Sequence, residues 1–162
     1  LKTKIHRDSR GYLKETSKKN VIKKDFIFDL MSSSNKNVLR GLHIQTTKPQ
    51  AKLITVSYGK IFDVAVDLRK KSKTFGKIFK YSLKEKSVLL VPKGFAHGYT
   101  GISKENIIVY FLSEYRYSKF EKGISLFDKA IKINLNKNKL IISEKDKRNY
   151  TISEFEKKIG SL

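Results

Sequence analysis

The sequence contains no cysteine and no tryptophan. Without cysteine, disulfides, thiolate metal sites and a cysteine nucleophile are all excluded. Histidine occurs only three times, as His6, His43 and His97. No His-x-His spacing exists, and His6 falls in a terminal arm, so a three-histidine metal site is not expected. No apolar run approaches the ~20 residues that span a bilayer. The N-terminus is basic but has no apolar signal core, so no export signal is expected. Gly-x-Ser-x-Gly, P-loop and dinucleotide fingerprints are absent. So are repeats, linkers and low-complexity stretches that would divide the chain, and residues 1–162 read as a single domain.

Acidic residues are also scarce. Fifteen Asp and Glu stand against 36 Lys and Arg, a formal net charge of +21. Such a charge invites a nucleic-acid partner. Two observations argue the other way. Lysine far outnumbers arginine, the side chain that reads bases and clamps phosphates bidentately. The lysines are also scattered over nearly every loop and not gathered on one face. A small anionic substrate such as a nucleotide-linked sugar would profit from the same field. A non-enzymatic basic module that binds anions stands as the competing reading. Its affinity would fall steeply with salt and be indifferent to His43.

Many short strands separated by Gly and polar turns are present, which implies an all-β sandwich or barrel. Strands are expected at 1–5, 25–31, 38–45, 51–57, 61–68, 75–83, 87–91, 106–113 and 131–135. Ser32 to Asn37 reads as a loop by composition. Pro92 to Tyr99 reads as a tight, Gly-bounded segment, and 142–146 as a polar, helical turn. Ser153 to Ile159 reads as a C-terminal helix with a Ser153/Glu156 capping box. Residues 61–68 carry the clearest alternation. Phe62, Val64, Val66 and Leu68 line one face, and Ile61, Asp63, Ala65 and Asp67 the other. The two aspartates are either solvated or face the wet lumen of a barrel, and the period alone does not choose.

The stretch Val38-Leu39-Arg40-Gly41-Leu42-His43-Ile44-Gln45 places a cation and an imidazole in an apolar strand. Neither belongs in a core without a partner. In a regular strand, residues three apart point to opposite faces. If Arg40 and His43 serve one site, the strand must bulge or end between them, and Gly41 permits that. The available side chains suit proton transfer: two histidines, several aspartates, Tyr110, Lys52 and a few arginines. A histidine can take a proton beside a ketone, with an aspartate to fix its tautomer. A cation such as Lys52 can stabilise the enolate. A tyrosine on the opposite side can return a proton to the other face. Those steps invert a stereocentre without a cofactor.

From Asp8 to Asp146 the motifs follow one another in a specific order. They are Asp8-x-Arg10-Gly11 with Glu15, then 38–45, then Gln50-Ala51-Lys52-Leu53, then Phe62 to Arg69. Ser72-x-Thr74-Phe75-Gly76-Lys77, Pro92-x-Gly94-Phe95-Ala96-His97-Gly98 and Ser143-Glu144-Lys145-Asp146 complete the set. In these the chain resembles the dTDP-4-dehydrorhamnose 3,5-epimerase family. The resemblance implies a cupin fold, a double-stranded β-helix or jelly-roll barrel, here with a short C-terminal helix. It implies a cytoplasmic, cofactor-free homodimer that supplies cell-surface deoxysugar synthesis. It also implies roles. His43 would be the base, oriented by Asp146; Tyr110 the proton donor; and Lys52 the neighbour of the 4-keto oxygen. Arg10 and Arg40 would hold the diphosphate, Asp63 and His97 would line the sugar pocket, and Glu15 would meet the nucleotide end. Gln45 and Tyr115 belong to matching motifs and count with the substrate-binding residues.

The chain departs from the family at several points. Phe28 and Leu30 stand where the family has Gln and Asn, and Arg116 where a second tyrosine follows Tyr115. No tryptophan occurs near Leu126. The N-terminus looks short, which would weaken strand exchange between protomers. These departures leave open the nucleotide base and whether C3, C5 or both are inverted. A 3,4-ketoisomerase using similar proton shuttling is the enzymatic alternative.

Overall fold

The computed structural model describes residues 5–9, 11–15, 25–85, 87–133 and 135–159. Strands β1 (Ile5–Asp8) and β2 (Gly11–Lys14) form a hairpin. Strands β3 (Phe28–Asn35), β4 (Val38–Gln45), β5 (Lys52–Tyr58), β6 (Lys60–Asp67) and β7 (Ile78–Lys84) follow, then β8 (Val88–Val91), β9 (Phe95–Gly101) and β10 (Glu105–Leu112). The short strands β11 (Glu121–Gly123) and β12 (Ile141–Ile142) precede two helices, α1 (Glu144–Lys147) and α2 (Ile152–Ile159). One sheet has the order β3-β10-β5-β8. The other has the order β11-β4-β9-β6-β7, with β12 beside β4. From β3 to β10 the chain changes sheet at every step but β6–β7. This is the two-sheet, eight-stranded jelly roll of the cupin fold. Among the described residues no helix is long and apolar enough to cross a membrane.

The alternation along β6 sorts its side chains between two cores. Val64 and Val66 pack outward with Leu39, Leu42 and Ile44 of β4, beneath Ile124, Leu126, Ile131 and Phe155 from the C-terminal segment. Ile61 and Ala65 point inward and meet Ile54, Val56, Ile108 and Leu112 of the opposite sheet. The aspartates on the inward face are not solvated, since Asp63 and Asp67 are both fully buried. Asp63 pairs with His97. Asp67 accepts hydrogen bonds from Arg69, Ser72 and Thr74 at 2.6–2.8 Å, and so closes the turn after β6. Burial alone would raise its pKa, but these donors together hold it well below the usual carboxylate range.

The bulge expected in β4 is present. Arg40 pairs with Tyr99 and His43 with His97, so three steps on β4 match two on β9. Gly41 has φ +111°, a conformation that side chains with a Cβ rarely adopt. As a result Leu39 and Leu42, three residues apart, reach the same outer core. Arg40 and His43 accordingly share the other face and line one cavity. The two strands come close here because Gly98 faces the bulge. A Cβ on Gly98 would lie 2.3 Å from the Arg40 carbonyl and 3.0 Å from the Gly41 Cα. Gly98→Ala should therefore destabilise the fold by about 1–3 kcal/mol, read as a lowered denaturant midpoint at unchanged m-value.

Several boundaries differ from the sequence reading. Ser32 to Asn35 are not loop; they extend β3 along the whole of β10, because backbone pairing and buried serine partners outweigh composition. Residues 95–99 are not an irregular segment but a central strand buried on both faces. Ile78 starts β7 later than expected, after the Asp67-centred turn. Of 131–135, the described residues form no strand, although Ile131 is core. The last helix is capped by Thr151 and not by Ser153. The Thr151 Oγ1 accepts from Glu154 N at 3.2 Å, and Glu154 Oε2 accepts from Thr151 N at 2.7 Å. The reciprocal box thus lies two residues earlier, which lets Phe155 turn into the core. The predicted strand at 1–5 falls mostly outside the described residues.

Candidate active site

A cavity of about 610 Å³ opens between the sheets, beside β12 and α1. Its size suits a substrate of modest dimensions. Ser143 caps α1, its hydroxyl accepting from Asp146 N at 3.1 Å. That cap places the Asp146 side chain against the β4 bulge. Asp146 Oδ1 lies 2.6 Å from His43 Nε2, and Oδ2 accepts from Gly41 N at 3.2 Å. The carboxylate side chain is 5% exposed and the imidazole 27%, so the pair is closed behind and open toward the cavity. Burial would raise the Asp146 pKa, but the hydrogen bond from His43, its charge and the Gly41 N–H together bring it below the ordinary value.

Lys52, half-buried on β5, reaches the main chain of His43, with Nζ donating to the His43 carbonyl at 3.4 Å. Burial lowers its pKa to about 8, even though Glu121 and Asp63 pull it back up. Tyr110 is 9% exposed, and burial pushes its phenol well above the ordinary range. Its ring meets the edge of the His97 ring at 6.5 Å. His97 Nε2 in turn lies 2.8 Å from Asp63 Oδ2, a second imidazole–carboxylate pair that is buried throughout.

Of the residues singled out from the sequence, His43, Asp146, Lys52, Tyr110, Arg40 and His97 converge on this cavity. Asp63 stands behind His97. Gln45 is buried and its amide is fully engaged by backbone, donating to the Lys48 and Tyr115 carbonyls and accepting from Tyr117 N. It braces the 115–117 loop and does not line the cavity. Tyr115 is half exposed, and its ring lies tilted against that of Phe28 with centroids 5.9 Å apart. Glu15 follows the β1–β2 hairpin, with its carboxylate 3.8 Å from His6. Arg10 lies outside the described residues.

Sequence reasoning missed Glu121 as a site residue. Its carboxylate accepts from Arg116 Nε at 2.8 Å and also binds Lys145 Nζ. Burial would raise its pKa, but these two cations hold it at about 2. A register position opposite Gln45 brings it here, and nothing local announces that pairing. Lys145 was visible inside the Ser-Glu-Lys-Asp motif, and Arg116 was visible as a departure. Leu30, another departure, also lines the cavity, while Leu126 fills the outer core. The wall carries the cations Arg40, Lys52, Arg116 and Lys145 against the carboxylates Glu121 and Asp146. Such a lining favours an anionic ligand. Among the described residues no three His, Asp or Glu side chains are grouped to hold a metal ion.

The family model described as dTDP-4-dehydrorhamnose 3,5-epimerase matches residues 1–154. The chain belongs to that family. A curated dTDP-4-dehydrorhamnose 3,5-epimerase from Methanothermobacter thermautotrophicus is 39% identical over 157 residues, covering 91% of this chain and 85% of that protein. One from Escherichia coli is 36% identical, covering 95% and 89%. A crystal structure of a dTDP-6-deoxy-D-glucose-3,5-epimerase from Legionella pneumophila, in complex with dTDP-4-keto-L-rhamnose, superposes with a TM-score of 0.88. It is 34% identical and covers 94% of this chain and 86% of that one. The epimerase scaffold here is a cupin barrel whose cavity opens between the sheets.

Proposed function

We propose that this epimerase-family chain inverts C3, C5 or both of a dTDP-linked 4-keto-6-deoxyhexose by proton abstraction and return. The observation that carries the reading is the 2.6 Å His43–Asp146 pair, closed behind and open to a cation-lined cavity. With Asp146 accepting from Nε2–H, the lone pair of His43 is on Nδ1, and that atom is the base. It takes the proton from the carbon next to the 4-keto group. The enolate oxygen that forms is stabilised by the Lys52 ammonium. The Tyr110 hydroxyl then gives its proton to the opposite face of the same carbon, and the centre is inverted. Arg40, Arg116 and Lys145 at the wall suit the diphosphate of the substrate. The chain works as a cytoplasmic homodimer, with residues 1–162 as a single cupin-like unit, in deoxysugar synthesis.

Incubation with the nucleotide 4-keto sugar in D₂O tests the reading. Deuterium should enter at C3, C5 or both, with inverted product and no added nicotinamide or metal. Absence of exchange at every carbon beside the ketone would refute it. Product NMR also separates inversion from movement of the carbonyl between C3 and C4.

Lys52 makes the reading sensitive to pH. The ammonium form is the active one, and it is lost as pH rises through about 8. The kcat profile should therefore fall on its alkaline side near that value. Glu121 is the largest of the charges that pull the Lys52 pKa upward, so Glu121→Gln should move the limb to lower pH. An unmoved limb would mean that Lys52 is not the titrating group.

A further inference from the structure

A second cavity, of about 410 Å³, lies on the outer face of the six-stranded sheet. Strand β9 separates it from the first. Tyr99 points inward, packs with Ile61 and Ala65, and lines the His43 cavity. Thr100, one residue on, faces the other way and lines the outer cleft. Phe62 of β6 is its register partner and lines the cleft beside it. Ile133, Leu135 and Leu140 of the C-terminal segment, all partly buried, complete an apolar wall, so the cleft is an open end of the outer core. Lys36, Lys80, Lys132 and Lys139 are exposed and also line it.

Two features of this lining go unanswered by the protein. The first is charge. Among the described residues no Asp or Glu lines the cleft, and none forms an ion pair with these four lysines. Cations gathered at an apolar, low-dielectric wall favour an anion. The second is the Thr100 hydroxyl. Thr100 is 4% exposed, and its Oγ1 has no hydrogen-bond partner among the described residues. A buried hydroxyl left unpaired is costly. Valine would fill the same space without that cost if the position served only the core. The volume is within the range of small-molecule sites. A bare inorganic anion would leave Phe62 and the leucines wet. A wholly apolar ligand would leave the lysines and the hydroxyl unanswered. A ligand with both parts answers all three.

We propose that this cleft is a second binding site, for a small amphipathic anion with one negative head on an apolar body. The body covers Phe62, Ile133, Leu135 and Leu140. The head meets the lysines and accepts from the Thr100 hydroxyl. The two cavities have no lining residue in common. The site therefore stands apart from the proposed epimerase chemistry and does not depend on it.

The test is an amide NMR titration of the full chain with naphthalene-2-sulfonate, an aromatic body with one sulfonate head. The Gly101 and Ile133 signals should shift and saturate. Naphthalene-2-sulfonamide, the neutral analogue, and inorganic sulfate should each bind there about tenfold more weakly, the effect of losing a charge-assisted contact or the apolar one. The double variant Lys36→Gln/Lys139→Gln changes only exposed side chains and should weaken the sulfonate about tenfold. Thr100→Val should leave the fold intact, since it removes an unpaired hydroxyl, and should weaken the sulfonate about threefold. Shifts at His43 and Lys52 with none at Gly101 and Ile133 would put the probe in the other cavity and overturn the proposal. So would equal affinity for the sulfonamide, or wild-type affinity in either variant.

Discussion

His43→Ala is expected to lower kcat by roughly a thousandfold or more, and to abolish deuterium entry from solvent. General bases placed at the reacting proton contribute about 10²–10⁴-fold. The upper half of that range applies because, among the described residues, no other base in the cavity is placed as His43 is. Lys52 is protonated below about pH 8. Tyr110 holds its proton even more firmly, and His97 is turned into Asp63 at 2.8 Å. The fold should survive the change. The imidazole is partly exposed, and the carboxylate behind it keeps the Gly41 N–H and the Ser143 cap. The Asp146 pKa should rise in this variant, because His43 supplies the largest of the effects that lower it. A depressed carboxylate pKa stabilises the fold above its unfolded value, and that stability is lost as pH falls through the folded value. Wild type should therefore lose stability on acidification that His43→Ala lacks in part. Rapid-quench or NMR assays in D₂O, with a folded variant verified by circular dichroism, check the kinetic effect. Retained exchange in His43→Ala would remove the imidazole from the mechanism.

Asp146→Asn should be nearly as damaging, with kcat lower by about 10³–10⁴-fold and KM little changed. Both carboxylate oxygens accept here, one from Gly41 N and one from His43 Nε2. An amide has one oxygen only. If that oxygen keeps the Gly41 N–H, the amide NH₂ faces His43 and forces Nε2 to become the acceptor. The ring proton then moves to Nδ1, and the base loses its lone pair toward the substrate. The geometry would be nearly intact and the tautomer wrong. Asp146→Ala should be less clear-cut, since removing the side chain frees the ring to choose either tautomer. A wild-type rate in Asp146→Asn would show that the carboxylate does not orient the base.

The contrast between Gln45 and Glu121 shows what the sequence made legible. Gln45 stands in the strongest motif of the chain, yet its amide braces a loop. Glu121 stands in an unremarkable Phe-Glu-Lys-Gly stretch, yet its carboxylate gathers two of the four cations of the cavity wall. A motif marks residues that travel together along a strand, but it does not say which end of a side chain is already occupied. The triple serine of β3 gives the same lesson. By composition it is loop. In the fold it is an edge strand paired along β10, with two of its hydroxyls bonded to Tyr99.

Some features were fixed locally and were readable without any structure. The β4 bulge follows from two functional side chains three residues apart with a glycine between them. The two-faced pattern of β6 follows from strict alternation, because the side-chain period of a strand is 2. The β character of the chain follows from short apolar runs and frequent turns. Other features depend on contacts between residues 34 to 105 positions apart in sequence, which periodicity does not encode. They include the closure of Asp146 onto His43, the burial of Asp63 behind His97, and the contact of the Ser34 hydroxyl with Tyr99. Residue types set what each group can donate or accept, but only the packing of two sheets and a C-terminal segment decided which groups stand within 3 Å of each other and out of water.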